Sequence, residues 1–292
     1  MAFEDPFKSP GEWLKGNLHT HTTESDGLKS PLEVADWYAA RGYDFLAITD
    51  HRVRTDPGRA DGVAPLCIPA MEMDGADPSI NGSYHLIALG LRHMRDSVSG
   101  ISLQTAIDEV KSEGGLAILA HPYWLGLNPP DVRGIHNLDG VEVFNSTCEV
   151  EIGKGDASYF WDGVLDQGMA LFGVAVDDAH WKHDDAGNCW VMAKCATRSP
   201  DAILDALAKG RFYASTGPEI LEFEVSDGRA YARCSPVREI RFMCQRSYGH
   251  RVRSDGAPIH EAEYELRGGE RYVRLQCIDE RGRAAWANPV FV

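Results

Sequence analysis

The sequence predicts an α/β protein, a parallel βα architecture followed by an all-β segment. Two observations carry this. Over the first 210 or so residues of 292, apolar runs alternate with amphipathic stretches of helical period. After about residue 215 the helical period disappears and strands alternate apolar and polar positions between Asp227-Gly228, Gly268-Gly269 and Arg281-Gly282 turns. A third observation chooses between a closed barrel and an open doubly wound sheet. "LHTH", "ITDH", "LAHP", "FNS" and "VDDAH" each end an apolar run with His, Asp or Asn. In a βα barrel such ends converge on one rim, where active sites sit.

The elements follow in order. "SPLEVADWYAARG" carries Ser30 as cap, Pro31 in the first turn and Glu33 three after the cap, with Gly42 ending it. "GYDFLAITDH" reads as a strand buried on both faces. "SLQTAIDEVKSEGG" puts Leu103, Ala106, Ile107 and Val110 on one face, and "LAILAHP" is the next strand. "LDGVEVFNS" and "MALFGVAVDDAH" are strands on either side of helical "DASYFWDGVLDQG", and "SPDAILDALAKG" is a last helix between Ser199 and Gly210. The boundary is set at 1–214 for the βα part and 215–292 for a small antiparallel sandwich-like part, with "YASTGPEI" as the joint.

Bulk properties narrow the function. A net charge of −15 argues against a non-specific grip on nucleic acid, short oligonucleotides aside. "MAFEDPFKSPGEWLKG" does not read as a secretory leader, and no apolar run is long enough to span a membrane. The seven cysteines form no C-x-x-C pair, and Cys189, Cys195 and Cys277 fall in strands, which suits buried thiols and a cytoplasmic protein.

The chemistry-bearing residues are spread widely. "GNLHTHTTESDG" sets His19 and His21 on alternate positions, hence on one side of a strand, with Asp26 five residues on. His51, Glu72, His85, His121, Asp178 and His180 follow at or near strand ends. Six imidazoles and three carboxylates are too many for one ion; they suit two or three divalent cations bridged by carboxylate. Asp50 and Asp177 point away on regular strands and read as support. His93, His136, His183, His250 and His260 have no motif around them and read as surface groups. Trp37 and Tyr38 read as core, and the arginines Arg233, Arg238, Arg241, Arg246, Arg251 and Arg253 as a solvated face.

H-x-H followed by S-D-G, then "TDH", a lone Glu, "AHP" and D-x-H resemble, in this order, the five motifs of the PHP (polymerase and histidinol phosphatase) superfamily over residues 16 to 217. The tail "GRFYASTGPEI" and the final "AAWANPVFV" resemble the branch that includes carbaryl-hydrolase-like members. The resemblance implies a distorted (β/α)7 barrel with a trinuclear metal centre of Mn, Fe or Zn on its rim. It implies that His19, His21, Glu72 and Asp178 hold one ion. Glu72 would bridge to a second held by His85 and His121, and Asp26, His51 and His180 would hold a third. It further implies a phosphoesterase acting on a small anionic phosphomonoester or diester through a metal-bridging hydroxide. Carbamate or carboxylic ester hydrolysis and a non-catalytic metal-dependent binding module are the alternatives. His180 or Asp178 is expected to protonate the leaving oxygen, Arg52 to bind phosphate, and Asn145 to contact substrate. "TDHRVR" and "AHPYW" depart from the phosphatase pattern, and Tyr123 and Trp124 suggest an aromatic wall beside the metals.

Overall fold

A computed structural model describes residues 3–58, 62–80, 82–91 and 100–292; His93 lies outside the described residues. The chain begins with β1 (Glu12–Asn17), α1 (Pro31–Ala39), β2 (Phe45–Ala47), β3 (Leu66–Ile68) and β4 (Ala70–Asp77). β5 (Gly82–Leu89), α2 (Leu103–Ser112), β6 (Leu116–Leu119), α3 (Pro122–Leu125) and β7 (Gly140–Asn145) follow. Next come α4 (Ser146–Ile152), α5 (Ser158–Asp166), β8 (Phe172–Val176), β9 (Trp190–Cys195) and α6 (Pro200–Ala208).

Local sequence explains the helix ends. Ser30 and Glu33 form the expected capping box, and Ser102 and Ser199 each accept a backbone N–H from the third residue on. Leu103, Ala106, Ile107 and Val110 are buried as their spacing predicts.

Strand pairing closes a circuit. β1 pairs with β2 and β2 with β3, both parallel. β3 runs through Pro69 into β4, which meets the chain beyond β2 at the His51–Glu72 bridge. β4 pairs with β5 and β5 with β6, both antiparallel; β6–β7 and β7–β8 are parallel. A bridge between Thr20 and Ala179 returns the circuit to the extension of β1. The circuit departs from strict strand–helix alternation, as a distorted barrel would, and a full set of seven βα units is not shown. Only residues 78–81 join β4 to β5, too few for a crossover helix, so β5 turns back antiparallel. No helix occurs among the described residues between β2 and β3 either.

The remaining strands are β10 (Phe212–Ser215), β11 (Ile220–Ser226), β12 (Arg229–Val237), β13 (Glu239–Met243), β14 (Gly249–Arg253), β15 (Ile259–Glu265), β16 (Tyr272–Ile278) and β17 (Ala284–Phe291). β11, β12 and β15 form a three-stranded sheet packed over β13, β16 and β17, with Phe223, Ala232, Ile240, Phe242 and Leu275 between. This is the sandwich-like unit the alternation predicts. It is not set apart from the first part, because one sheet runs in the order β14-β13-β16-β17-β10-β9-β1-β2-β3. β10, inside the expected joint, pairs with β9 on one side and β17 on the other. Arg233 pairs with Glu222, while Arg241 and Arg253 face Glu239, as a solvated face would. His136, His183, His250 and His260 are exposed.

Candidate metal centre

β1 runs on as Leu18, His19, Thr20 and His21, and the two imidazoles, both fully buried, emerge on one side. Asn17 fixes this extension by donating to the His19 carbonyl at 2.7 Å, while its own oxygen accepts from Asp177 N–H at 3.0 Å. His19 Nδ1 lies 2.7 Å from Glu142 Oε1. With the proton on Nδ1 donated to that carboxylate, Nε2 carries the lone pair and faces inward.

At the centre, His19 Nε2 lies 3.1 Å from His21 Nε2, and each lies 3.0 Å from Asp178 Oδ1. Glu72 Oε2 is 3.4 Å from the first nitrogen and 3.3 Å from the second. Ligand atoms about 2.1 Å from a shared cation stand roughly 3.0–3.5 Å from one another, so these four atoms are spaced as a coordination shell. Two Nε2 atoms facing each other make a poor hydrogen-bonded pair, yet suit a cation between them. The residues present fit divalent metal.

Glu72 looks both ways. Its Oε2 also faces His51 Nδ1 at 3.3 Å, while Oε1 lies 2.7 Å from His85 Nδ1 and 3.4 Å from His121 Nε2. Asp26 completes a third group: Oδ2 is 3.3 Å from His180 Nε2, and Oδ1 is 3.6 Å from His21 Nδ1 and 3.9 Å from His51 Nε2. The donor atoms of His21, Asp26, His51 and His180 all fall within 4.8 Å of one another. All nine expected donors are thus brought together, although His51 also leans on Asp74 at 3.2 Å.

Electrostatics follows from burial and pairing. Burial opposes charge on His21, but Asp178 and Glu72 outweigh it and lift the imidazole to about 9. His19 is raised well above its usual value against the same burial, by Asp178, Glu72 and Glu142. Glu72 and Asp178 fall well below the carboxylate range: burial works against this, and the surrounding imidazoles overcome it. His180 does the same, mainly through its hydrogen bond, for Asp26. His121 and Asp178 carry φ of 26° and 54°, and Arg52 and Trp181 beside them 59° and 66°. Strained backbone of this kind gathers at sites the surrounding fold must enforce.

The supporting residues are as read or richer. Asp50 accepts from Thr22 N–H and from the Thr22, Ser25 and Thr55 hydroxyls. Asp177 accepts from Tyr38 Oη and from the N–H groups of Gly187, Asn188 and Cys189; burial nonetheless lifts its carboxyl to about 7. Glu142 was not anticipated. It holds His19, accepts the His121 N–H at 2.8 Å and binds Asn145 Nδ2 at 2.9 Å. Its signal was a lone acid inside the apolar "GVEVFN".

The residues expected to contact substrate or move a proton are already engaged within the protein. Asn145 is buried and its amide is spent inside the protein: Nδ2 donates to Glu142 and, at 3.1 Å, to Asp178, while Oδ1 caps α4 through Cys148 N–H. Arg52 is paired with Asp74, which occupies its guanidinium. Asp178 Oδ1 lies 3.0 Å from both His19 Nε2 and His21 Nε2, and those imidazoles, against the effect of burial, hold its carboxyl far below the usual range. The pocket over the cluster, about 250 Å³, is also lined by Trp124, Thr147, Cys148, Glu151 and Lys182. The Trp124 ring stands 5.1 Å from His121 and 6.0 Å from His85, as the aromatic wall. Tyr123 is half-exposed, with Lys154 Nζ 5.6 Å from its ring.

With this geometry in hand, the chain resembles a solved two-domain protein from Bacteroides vulgatus described as containing a predicted PHP-like metal-dependent phosphoesterase. The likeness takes in 96% of this chain and 94% of that one, at a TM-score of 0.56 and 16% identity. The fold is PHP-like. The chain also overlaps an amidohydrolase from Chromobacterium violaceum over 68% of its own length and 96% of that chain, at a TM-score of 0.49 and 15% identity, too loose to argue from. In sequence it is 29% identical over 154 residues to the uncharacterized protein MJ1587 of Methanocaldococcus jannaschii, covering 46% of this chain and 82% of that protein. A 38-residue stretch is 50% identical to the DNA polymerase/3'-5' exonuclease PolX of Bacillus subtilis, but spans 7% of that enzyme and 13% of this chain. No family model matches the sequence.

Proposed function

We propose that the protein is a metal-dependent phosphoesterase acting on a small phosphomonoester or phosphodiester. The observation that supports this most is Glu72, whose two oxygens face two different sets of imidazoles. A carboxylate so placed serves two cations. In this reading His19, His21, Glu72 and Asp178 hold one ion and His85 and His121, with Glu72, a second. Asp26, His51 and His180 hold a third, and Mn, Fe or Zn all suit nitrogen and oxygen donors. Bound divalent ions supply an acidified water as nucleophile and positive charge for the phosphoryl oxygens.

The chain's own groups do the rest. Glu142 keeps His19 in its ligating tautomer, and Asn145 holds Asp178 in place. Lys182, at the pocket mouth 3.9 Å from Asp26, offers a cation to the incoming ester. Arg52 joins it when it exchanges Asp74 for phosphate. Trp124 shields one side from water. All seven cysteines are free thiols, which fits a reducing compartment, and we place the protein in the cytoplasm. Among the described residues no helix is long and apolar enough to cross a membrane.

Rates on p-nitrophenyl phosphate, bis(p-nitrophenyl) phosphate and an aryl carbamate, with added Mn²⁺, test this. Turnover of a phosphate ester is expected, removed by chelator and by His21→Ala or Asp178→Asn. Turnover of the carbamate alone overturns the phosphoesterase reading in favour of an ester or carbamate hydrolase. Metal binding without turnover of any of them favours a binding module.

A further inference from the structure

The loop between β8 and β9 carries a further acid, Asp185, that is not among the nine donors. It is fully buried and, among the described residues, has no ion pair. Its Oδ2 accepts the His180 N–H at 2.9 Å and stands 3.2 Å from Thr147 Oγ1. Its other oxygen, Oδ1, is buried without a donor. A desolvated carboxylate so thinly paired works against folding, and its presence calls for an explanation.

That explanation lies in the corner it grips. Asp178 and Trp181 take left-handed φ of 54° and 66°, which for a bulky tryptophan is uncommon. The corner between them aims two donors in different directions. Asp178 Oδ1 faces His19 and His21 Nε2, at 3.0 Å from each. His180 Nδ1 lies 2.8 Å from the Asp178 carbonyl oxygen, and with its proton donated there Nε2 is turned to Asp26 Oδ2 at 3.3 Å.

Other bonds hold the start of this corner. Thr147 N–H donates to the Asp177 carbonyl at 3.0 Å, and the Thr147 hydroxyl to the Asp178 carbonyl at 2.7 Å. That hydroxyl has one hydrogen, and the nearer carbonyl takes it. The bond Asp185 makes in full is therefore the one to His180 N–H, at the far end of the corner.

We propose that Asp185 is a positioning residue for the cation assigned to Asp26, His51 and His180. By holding the His180 N–H it keeps the corner closed and Nε2 directed at Asp26, touching neither ion nor substrate. The inference rests on the metal-centre reading above and deepens it.

Isothermal titration of the metal-free full chain with Mn²⁺, in a double-variant cycle, tests it. Asp185→Ala is expected to weaken, by about tenfold or more, the same binding that His180→Ala weakens, and to spare the rest. The effect should vanish where His180 is already alanine. It should persist in full in His85→Ala, whose imidazole lies on the other oxygen of Glu72. Asp185→Asn keeps an acceptor for the His180 N–H and should restore most of the affinity. Should Asp185→Ala not fold, Asp185→Leu, which leaves no cavity, takes its place in the cycle. Unchanged binding, an equal loss in both backgrounds, or Asp185→Asn binding as poorly as alanine overturns the proposal. A parent protein that binds no Mn²⁺ overturns the metal-centre reading itself, and the proposal with it.

Discussion

His21 is the residue on which the chemistry of the centre turns, because a proton and a cation compete for its Nε2. Burial alone would depress its basicity, but Asp178 and Glu72 raise it to about 9. A folded value above the ordinary 6.5 means that, in metal-free protein, this imidazolium stabilises the fold fully below about 6.5. That contribution is lost as the pH climbs through about 9. A divalent ion must displace the same proton, so apparent metal affinity rises from neutral pH through about 9. Titrating Mn²⁺ into stripped protein in two buffers of different ionisation enthalpy should report net proton release near neutrality. Equal heats in both buffers, with affinity independent of pH, would contradict it. The meeting of the nine candidate donors was legible because ligating residue types closed or interrupted apolar runs. Glu142 and the true use of Asn145 were not. A glutamate within a strand and an amide at its end look the same in sequence whether they face solvent, substrate or a neighbouring side chain; only the placing of β7 across from His19 and beside β8 decides.

At the scale of elements, helices with their own stop and start signals were readable, whereas the path of the chain between them was not. Ser30, Ser102 and Ser199 announce α1, α2 and α6. The reversal into β5 was missed because a run of strand-like residues does not reveal its direction, and the short 78–81 link was the only clue. The continuity of one sheet through β9, β10 and β17 is likewise a long-range pairing that no local pattern encodes. α4 shows what such an element does for the site. It starts at Asn145, whose oxygen caps it and whose nitrogen ties its first turn to Asp178. Asn145→Ala removes a cap and two buried hydrogen bonds, an expected loss of about 2 kcal/mol. Asn145→Asp keeps the capping oxygen but sets a third carboxylate against Glu142 and Asp178, so in metal-free protein near neutral pH it should destabilise more than alanine does. Urea unfolding of the two variants ranks them; Asn145→Asp matching the parent protein would mean the amide is not placed as described.

Across the whole molecule, the β segment is fastened to the metal-bearing part by the shared sheet and by one buried ion pair. Arg274 of β16, with no exposure, donates Nε to Asp162 Oδ1 at 2.6 Å and Nη2 to Oδ2 at 2.7 Å, and lies 4.8 Å over the Trp161 ring of α5. Such a pair adds little over a well-packed apolar substitute, but losing one partner leaves a charge buried and alone, at a cost of about 3–5 kcal/mol. Asp162→Ala should therefore lower stability by that order, while Asp162→Leu/Arg274→Met recovers most of it. Because the sheet is common to both parts, the loss should appear as a shift of one transition rather than as early melting of the β segment. Urea unfolding followed by tryptophan fluorescence and by far-ultraviolet circular dichroism tests this. Coincident curves with a common midpoint are expected. Separate midpoints in Asp162→Ala would show that the two parts unfold independently and that pairing β10 between β9 and β17 does not couple them.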